Sequence, residues 1–166
     1  PVFNADHEVV KLYQKNKNVF KNLKKKLPKY IHSFPIEKKE ISNAILSNKN
    51  NLNKIVKIVH VEIRKKMNIF LKKNKNKKIV ILDIPLILEN KINNKKDILI
   101  YVQSEKLNIL KRLKKRKNFN EKLFKKFKAI QYPINYKKKK SNFVIKNNFT
   151  KKAVNDDIKK ILKEIT

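Results

Sequence analysis

Not one glycine, cysteine or tryptophan occurs in the 166 residues, and acids are few, with 13 Asp and Glu against 45 Lys and Arg. The lack of cysteine excludes both a disulfide framework and a thiolate metal site. The lack of glycine excludes a phosphate-cradling loop built from these residues. Such a loop needs positions without a Cβ so that backbone N–H groups can converge on an anion. If the chain handles phosphates, that loop is expected to lie outside it. No apolar run approaches the roughly 20 residues that cross a bilayer. The opening PVFNAD lacks the basic, apolar and small-residue layout of a signal peptide and reads as an entry in mid-fold. The expectation is a soluble, cytoplasmic protein.

Hydrophobic residues make up 40% of the chain, enough for a real core, so one domain with a small inserted subdomain is expected over residues 1–166. The net charge of +32 by itself favours a polyanionic partner, nucleic acid before an anionic membrane surface. The lysines, however, are spread through nearly every segment and travel with Asn and Ile, as from Lys72 to Lys78. An A+T-rich genome imposes that pattern, and the missing glycine fits it. The charge therefore predicts only non-specific electrostatic binding of nucleic acid.

Four apolar stretches read as strands: the opening PVFNAD, Ile79–Ile84, Ile98–Val102 and Phe143–Ile145. Apolar residues on both faces suit parallel strands covered by helices on each side. Helical spacing of three and four recurs at Leu52, Ile55, Val56, Val59 and Ile63, at Leu107, Leu110 and Leu113, at Leu123, Phe124, Phe127 and Ile130, and from Val154 to Ile165. Ser104 and Thr150 are candidate N-caps. Residues 11–75 hold no convincing strand, and Pro28 and Pro35 punctuate them, so this stretch reads as a helical insertion. The basic runs at 72–78, 91–96 and 137–142 read as solvated connections. The fold expected is three-layer α/β with a parallel sheet and a helical substrate subdomain.

Five short motifs follow one another: Asn4-Ala5-Asp6, His60-Val61-Glu62-Ile63-Arg64, the DIPLILE run from Asp83 to Glu89, the RLKKR run from Arg112 to Arg116, and the QYPINYKKKKSNFVIKN run from Gln131 to Asn147. In this order the chain resembles the dephospho-CoA kinases over almost its whole length. Each motif is weak alone, but five in register are specific. The resemblance implies a P-loop NTPase fold from which the first strand and the loop are missing. A βαβ unit of about 30 residues would place them immediately before Pro1. It implies ATP and Mg²⁺ as cofactors and dephospho-CoA as substrate, with no obligate protein partner and no membrane. It also implies that residues 11–75 bind CoA and that 112–131 form a lid.

The resemblance assigns roles residue by residue. Asp6 falls where the family places the acid that receives the proton of the reacting hydroxyl. Read by its neighbours alone, Asp6 before HEVVKL is a helix cap first and a base second; the resemblance reverses that order. His60 and Arg64 stand one turn apart and would grip the substrate, with Val61 in place of the family's proline letting the helix continue. Pro85 and Glu89 fall on the substrate side, and Lys38 falls near a family arginine, keeping its charge without its fork. Asp83 would hold a magnesium-bound water. Arg112 and Arg116 suit the triphosphate, Arg being rare in a chain that otherwise uses Lys. Gln131 and Asn147 fall on the nucleotide side, and Lys137 belongs to the same tail motif. Ser141, Asn142 and Lys146 replace that motif's Ala, Asp and Asp. Two other readings compete: a basic nucleic-acid-binding protein, which explains the charge but not the motif order, and a P-loop kinase acting on another small hydroxyl compound.

Overall fold

A computed structural model describes residues 1–166. The chain forms two compact units, 1–85 and 86–166.

The first unit begins with β1 (Val2–Asn4) and passes at once into α1 (Ala5–Lys15), then α2 (Lys17–Lys26), α3 (Lys38–Ser47), the 25-residue α4 (Lys49–Lys73) and β2 (Ile81–Asp83). β1 and β2 pair in parallel, with Val2 opposite Ile81, Phe3 opposite Leu82 and Asn4 opposite Asp83. The core lies under α4. Ile55, Val59, Ile63 and Met67, spaced one turn apart, are buried along one stripe. They share the interior with Leu12 of α1, Val19 and Leu23 of α2, and Ile41, Ala44 and Ile45 of α3. Each such aliphatic contributes about 1.5–3 kcal/mol relative to its exposed state.

With no glycine to close α3, a side chain completes its last turn. Buried Asn51 donates to the Ala44 carbonyl at 2.9 Å and to the Ser47 hydroxyl at 3.1 Å. The helical stretch expected over 11–75 is present, but it begins earlier, at Ala5. Pro28 and Pro35 lie in the connection between α2 and α3, as expected.

The second unit contains β3 (Ile100–Gln103), α5 (Lys106–Lys114), α6 (Glu121–Ala129), α7 (Ile134–Lys140), β4 (Phe143–Lys146) and α8 (Lys151–Ile165). β3 and β4 are parallel, from Ile100 opposite Phe143 to Gln103 opposite Lys146. Its interior is shallow: only Ile145 and Ile161 are buried, while Ile100, Val102 and Val144 keep exposed surface. The expected parallel strands thus occur two by two, one pair in each unit. No helix is long and apolar enough to cross a membrane.

Three local expectations are corrected. The run at 137–142 is not a mere connection, because its lysines continue α7 as far as Lys140; Pro133, at the cap position with its fixed φ, starts that helix. Ser104 is not the cap of α5; Glu105 stands at that position, and neither side chain caps it. Thr150 does stand at the cap of α8, but its hydroxyl donates to Asn148 Oδ1 at 2.7 Å and makes no capping bond.

Candidate active site

Parallel strands of α/β proteins offer ligands their carboxyl ends, and in the first unit two acids stand there. Asp6 lies in the first turn of α1, just past β1, and is exposed; Asp83 is the last residue of β2 and also exposed. Asn4 organises this edge with both ends of its side chain. Its Oδ1 accepts from the His7 N–H at 2.9 Å, capping α1, and its Nδ2 donates to Asp83 Oδ2 at 2.7 Å. The cap of α1 is therefore Asn4, and Asp6 is left outside that role.

α4 runs unbroken through His60 and Arg64, as the valine at 61 leads one to expect. His60 adjoins the buried stripe. Burial, and next the charge of Arg64, hold its imidazole below the ordinary histidine range, so it is neutral at pH 7 and can both donate and accept. α1 and α4 are tied by Glu8, which binds Lys11 at 2.6 Å and Lys66 at 2.9 Å. Hydrogen bonds from these two lysines hold its carboxyl below the usual range.

Lys38 is the exposed first residue of α3. The turn before it is fastened by Glu40, which accepts from the N–H groups of His32 at 2.7 Å, Ser33 at 3.0 Å and Glu37 at 3.1 Å, and from the Ser33 hydroxyl at 3.0 Å. Pro85 is exposed and leads into a turn in which Leu86 adopts a positive φ of 56°.

In the second unit Glu89 turns toward the segment after α6. Its Oε1 accepts from the Tyr132 N–H at 2.8 Å and lies 3.7 Å from Lys137 Nζ, which donates to Gln131 Oε1 at 3.0 Å. The guanidinium of Arg112 lies 4.5 Å from the centre of the Phe149 ring, a cation–π contact. Arg116 does not share a helical face with Arg112. α5 ends at Lys114, and Arg116 sits in the turn beyond, its N–H donating to the Leu113 carbonyl at 3.1 Å. Asn147 follows β4: its N–H donates to the Gln103 carbonyl at 2.7 Å, and its Oδ1 accepts from the Phe149 N–H at 2.8 Å. At these strand ends opens a cavity of about 710 Å³ lined by Gln103, Ser104, Asn108, Lys146, Asn147 and Asp157, among others. Asp6, Lys38, His60, Arg64, Asp83 and Pro85 thus belong to one unit, and Glu89, Arg112, Arg116, Gln131 and Asn147 to the other.

Comparison with known proteins decides the family. The profile of the family described as dephospho-CoA kinase matches residues 1–153. The chain belongs to the dephospho-CoA kinase family. A dephospho-CoA kinase of the Wolbachia from Brugia malayi is 29% identical over 167 residues, covering 99% of this chain and 85% of that protein. One from Bartonella quintana is 29% identical over 146 residues, covering 87% of this chain and 74% of its own. The fold matches the crystal structure of TT1252 from Thermus thermophilus, with a TM-score of 0.74, 21% identity and coverage of 100% of this chain and 85% of that one. The α/β arrangement of parallel strand pairs and helices is thus shared with that structure.

Within this dephospho-CoA kinase chain, two contributors escaped the sequence reading. Asn4 carries a legible signal, since Asn directly before a helical pattern is a preferred cap. Phe149 carries none, because its contact with Arg112 joins residues far apart in sequence.

Proposed function

We propose that the chain transfers the γ-phosphoryl group of ATP to the ribose 3′-hydroxyl of dephospho-CoA, giving CoA and ADP, the last step of coenzyme A biosynthesis. The observation that carries this is the family match across residues 1–153, which contains every candidate site residue. The exposed acids at the carboxyl edge of β1 and β2 support it chemically.

Asp6 receives the proton of the 3′-hydroxyl as that oxygen bonds to the γ-phosphorus and the bond to the bridging oxygen of ADP breaks. Such a transfer depends mainly on position and charge stabilisation, so one aligned base suffices on the protein side. Neutral His60 and charged Arg64, with Lys38 and Pro85, orient dephospho-CoA on the helical stretch 11–75. Arg112 and Arg116, in the lid formed by residues 112–131, offset the charge of the triphosphate. Gln131 and Asn147 face the nucleotide.

Magnesium fits this arrangement on one condition. No group of three or more His, Cys, Asp or Glu residues is placed to form a protein cage for a metal. The donor set therefore suits an ion bound chiefly by phosphates and water, the usual mode for Mg²⁺, with Asp83 holding it through water. When bound, the ion neutralises phosphate charge. These substrates are cytoplasmic metabolites, and we assign the chain to that compartment.

Because these residues hold no glycine for a phosphate-cradling loop, the chain alone is expected to be inactive, and the test is CoA formation from ATP and dephospho-CoA by the protein extended at its N-terminus to carry that loop, and by its Asp6→Asn variant. A loss on the order of 10²–10⁴-fold in kcat, with both KM values little changed, is expected when a base is removed. Full turnover in the Asn variant would remove Asp6 from the chemistry. Transfer to another hydroxyl compound in preference to dephospho-CoA would overturn the substrate assignment.

A further inference from the structure

Acids are seldom buried unless paired, and the Glu89 side chain is only 9% exposed. It stands in a tight turn closed by hydrogen bonds from the Asn90 N–H to the Leu86 carbonyl at 2.9 Å, from Lys91 to Leu88 at 3.1 Å and from Ile92 to Ile87 at 3.1 Å. From there it reaches Tyr132, 43 residues later in the chain, and takes the backbone N–H at 2.8 Å. Lys137, in the middle of α7 and 18% exposed at its side chain, lies 3.7 Å from the same carboxylate and 3.0 Å from Gln131 Oε1. Gln131 to Pro133, the segment leaving α6, is thus held from two directions, by a backbone contact to Glu89 and a side-chain contact to Lys137. Tyr132 and Tyr136 pack edge to face at 4.9 Å over the same segment.

The two ends of the arginine-bearing segment are therefore fixed by different means. Its entry follows β3 directly, whereas its exit reaches β4 of the same ladder only after α7 and carries this ionic tether on the way. We propose that Glu89 and Lys137 are positioning residues that anchor the exit of the 112–131 segment, and thereby set the placement of Arg112 and Arg116 on ATP. Glu89 on this view makes no contact with dephospho-CoA. The proposal rests on the kinase reading given above.

The experiment uses the full chain with Glu89→Ala, Lys137→Met and the double substitution, and Glu89→Gln as the conservative variant that keeps an acceptor for Tyr132. Hydrogen exchange at the Tyr132 amide is the readout that needs no turnover. Glu89→Ala should accelerate it about tenfold and Lys137→Met less, with the double variant no faster than Glu89→Ala, the non-additivity of groups in one network. Glu89→Gln should restore most of the protection. In steady-state kinetics, KM for ATP should rise about five- to tenfold in both single variants, with KM for dephospho-CoA unchanged. A rise in KM for dephospho-CoA on Glu89→Ala, with Lys137→Met neutral, would make Glu89 a substrate contact and overturn the tether. So would an unchanged Tyr132 amide in Glu89→Ala. If the protein extended to carry its phosphate loop forms no CoA, the kinase reading fails, and the exchange measurement still judges the tether alone.

Discussion

Asn4 holds two things at once, so removing its side chain has two separable costs. Asn4→Ala deletes the cap on α1, worth about 1 kcal/mol, and the 2.7 Å donor to Asp83. A hydrogen bond to a charged group is worth about 1.5–3 kcal/mol when buried. Asp83 is exposed, so solvent reduces this to roughly 1 kcal/mol. The sum is about 2 kcal/mol, and for a chain of this size each kcal/mol lowers Tm by about 2–4 °C, giving a fall of about 4–8 °C. Asn4→Asp separates the terms. It keeps a capping oxygen but sets two carboxylates against each other, a repulsion of about 1 kcal/mol at 4 Å in water and more at lower permittivity. Urea unfolding of both variants, and of each combined with Asp83→Ala, checks the assignment. A coupling energy between positions 4 and 83 indistinguishable from zero, or an Asn4→Ala chain as stable as the unmodified one, would refute it.

Two further perturbations test the frame that carries the site. The Glu40 carboxyl is raised by partial burial, but hydrogen bonds from His32, Ser33 and Glu37 outweigh that and hold it below its ordinary value. Its folded value being depressed, its contribution to stability is present above the unfolded carboxylate range and is lost as pH falls through the folded value. Glu40→Gln should therefore lower stability at pH 7 and erase that part of the acid-side loss below about pH 4.3, read from urea midpoints across pH. Lys91, exposed and held at φ 50°, is a Cβ-bearing residue in a left-handed conformation that costs about 1–2 kcal/mol. Lys91→Gly should relieve it, less the greater chain entropy of unfolded glycine, for a net gain of about 0.5–1 kcal/mol and a Tm higher by about 1–4 °C; a lower Tm would show that the lysine side chain stabilises the turn by more than its backbone costs.

The elements whose periodicity runs over several turns were legible from sequence alone. The buried stripe on α4 is a direct reading of Ile55, Val59 and Ile63, and all four strands lie within or overlap the apolar stretches that predict them. What escaped was set by individual polar side chains and chain ends. Asp6 has the composition of a cap, yet Asn4, two residues earlier, takes that place because the helix starts directly from the strand. Arg112 and Arg116 have helical spacing, but spacing cannot show where a helix stops, and α5 stops between them. The family motifs were legible as an ordered set, whereas the engagement of Glu89 with Tyr132 and Lys137 depends on pairing across 43 residues that no local pattern encodes.

A chain without glycine must put its left-handed backbone positions on residues with a Cβ, and where it tolerates them is informative. The three are Leu86, Lys91 and Phe149. Leu86 and Lys91 bracket Glu89 and turn the chain so that its carboxylate meets Tyr132. Phe149 follows Asn147, whose Oδ1 captures the Phe149 N–H, and its ring lies under Arg112. Strain of about 1–3 kcal/mol per residue persists only where surrounding contacts fix the conformation. Here the contacts that fix it are the turn hydrogen bonds from Asn90, Lys91 and Ile92 and the side-chain turn of Asn147. Each of the three therefore orients a residue of the five family motifs, Glu89 in two cases and Arg112 in the third. None of them falls inside the helical stretch from α1 to α4. In this chain the backbone cost is concentrated where side chains must be aimed, and the helices that supply the core carry none of it.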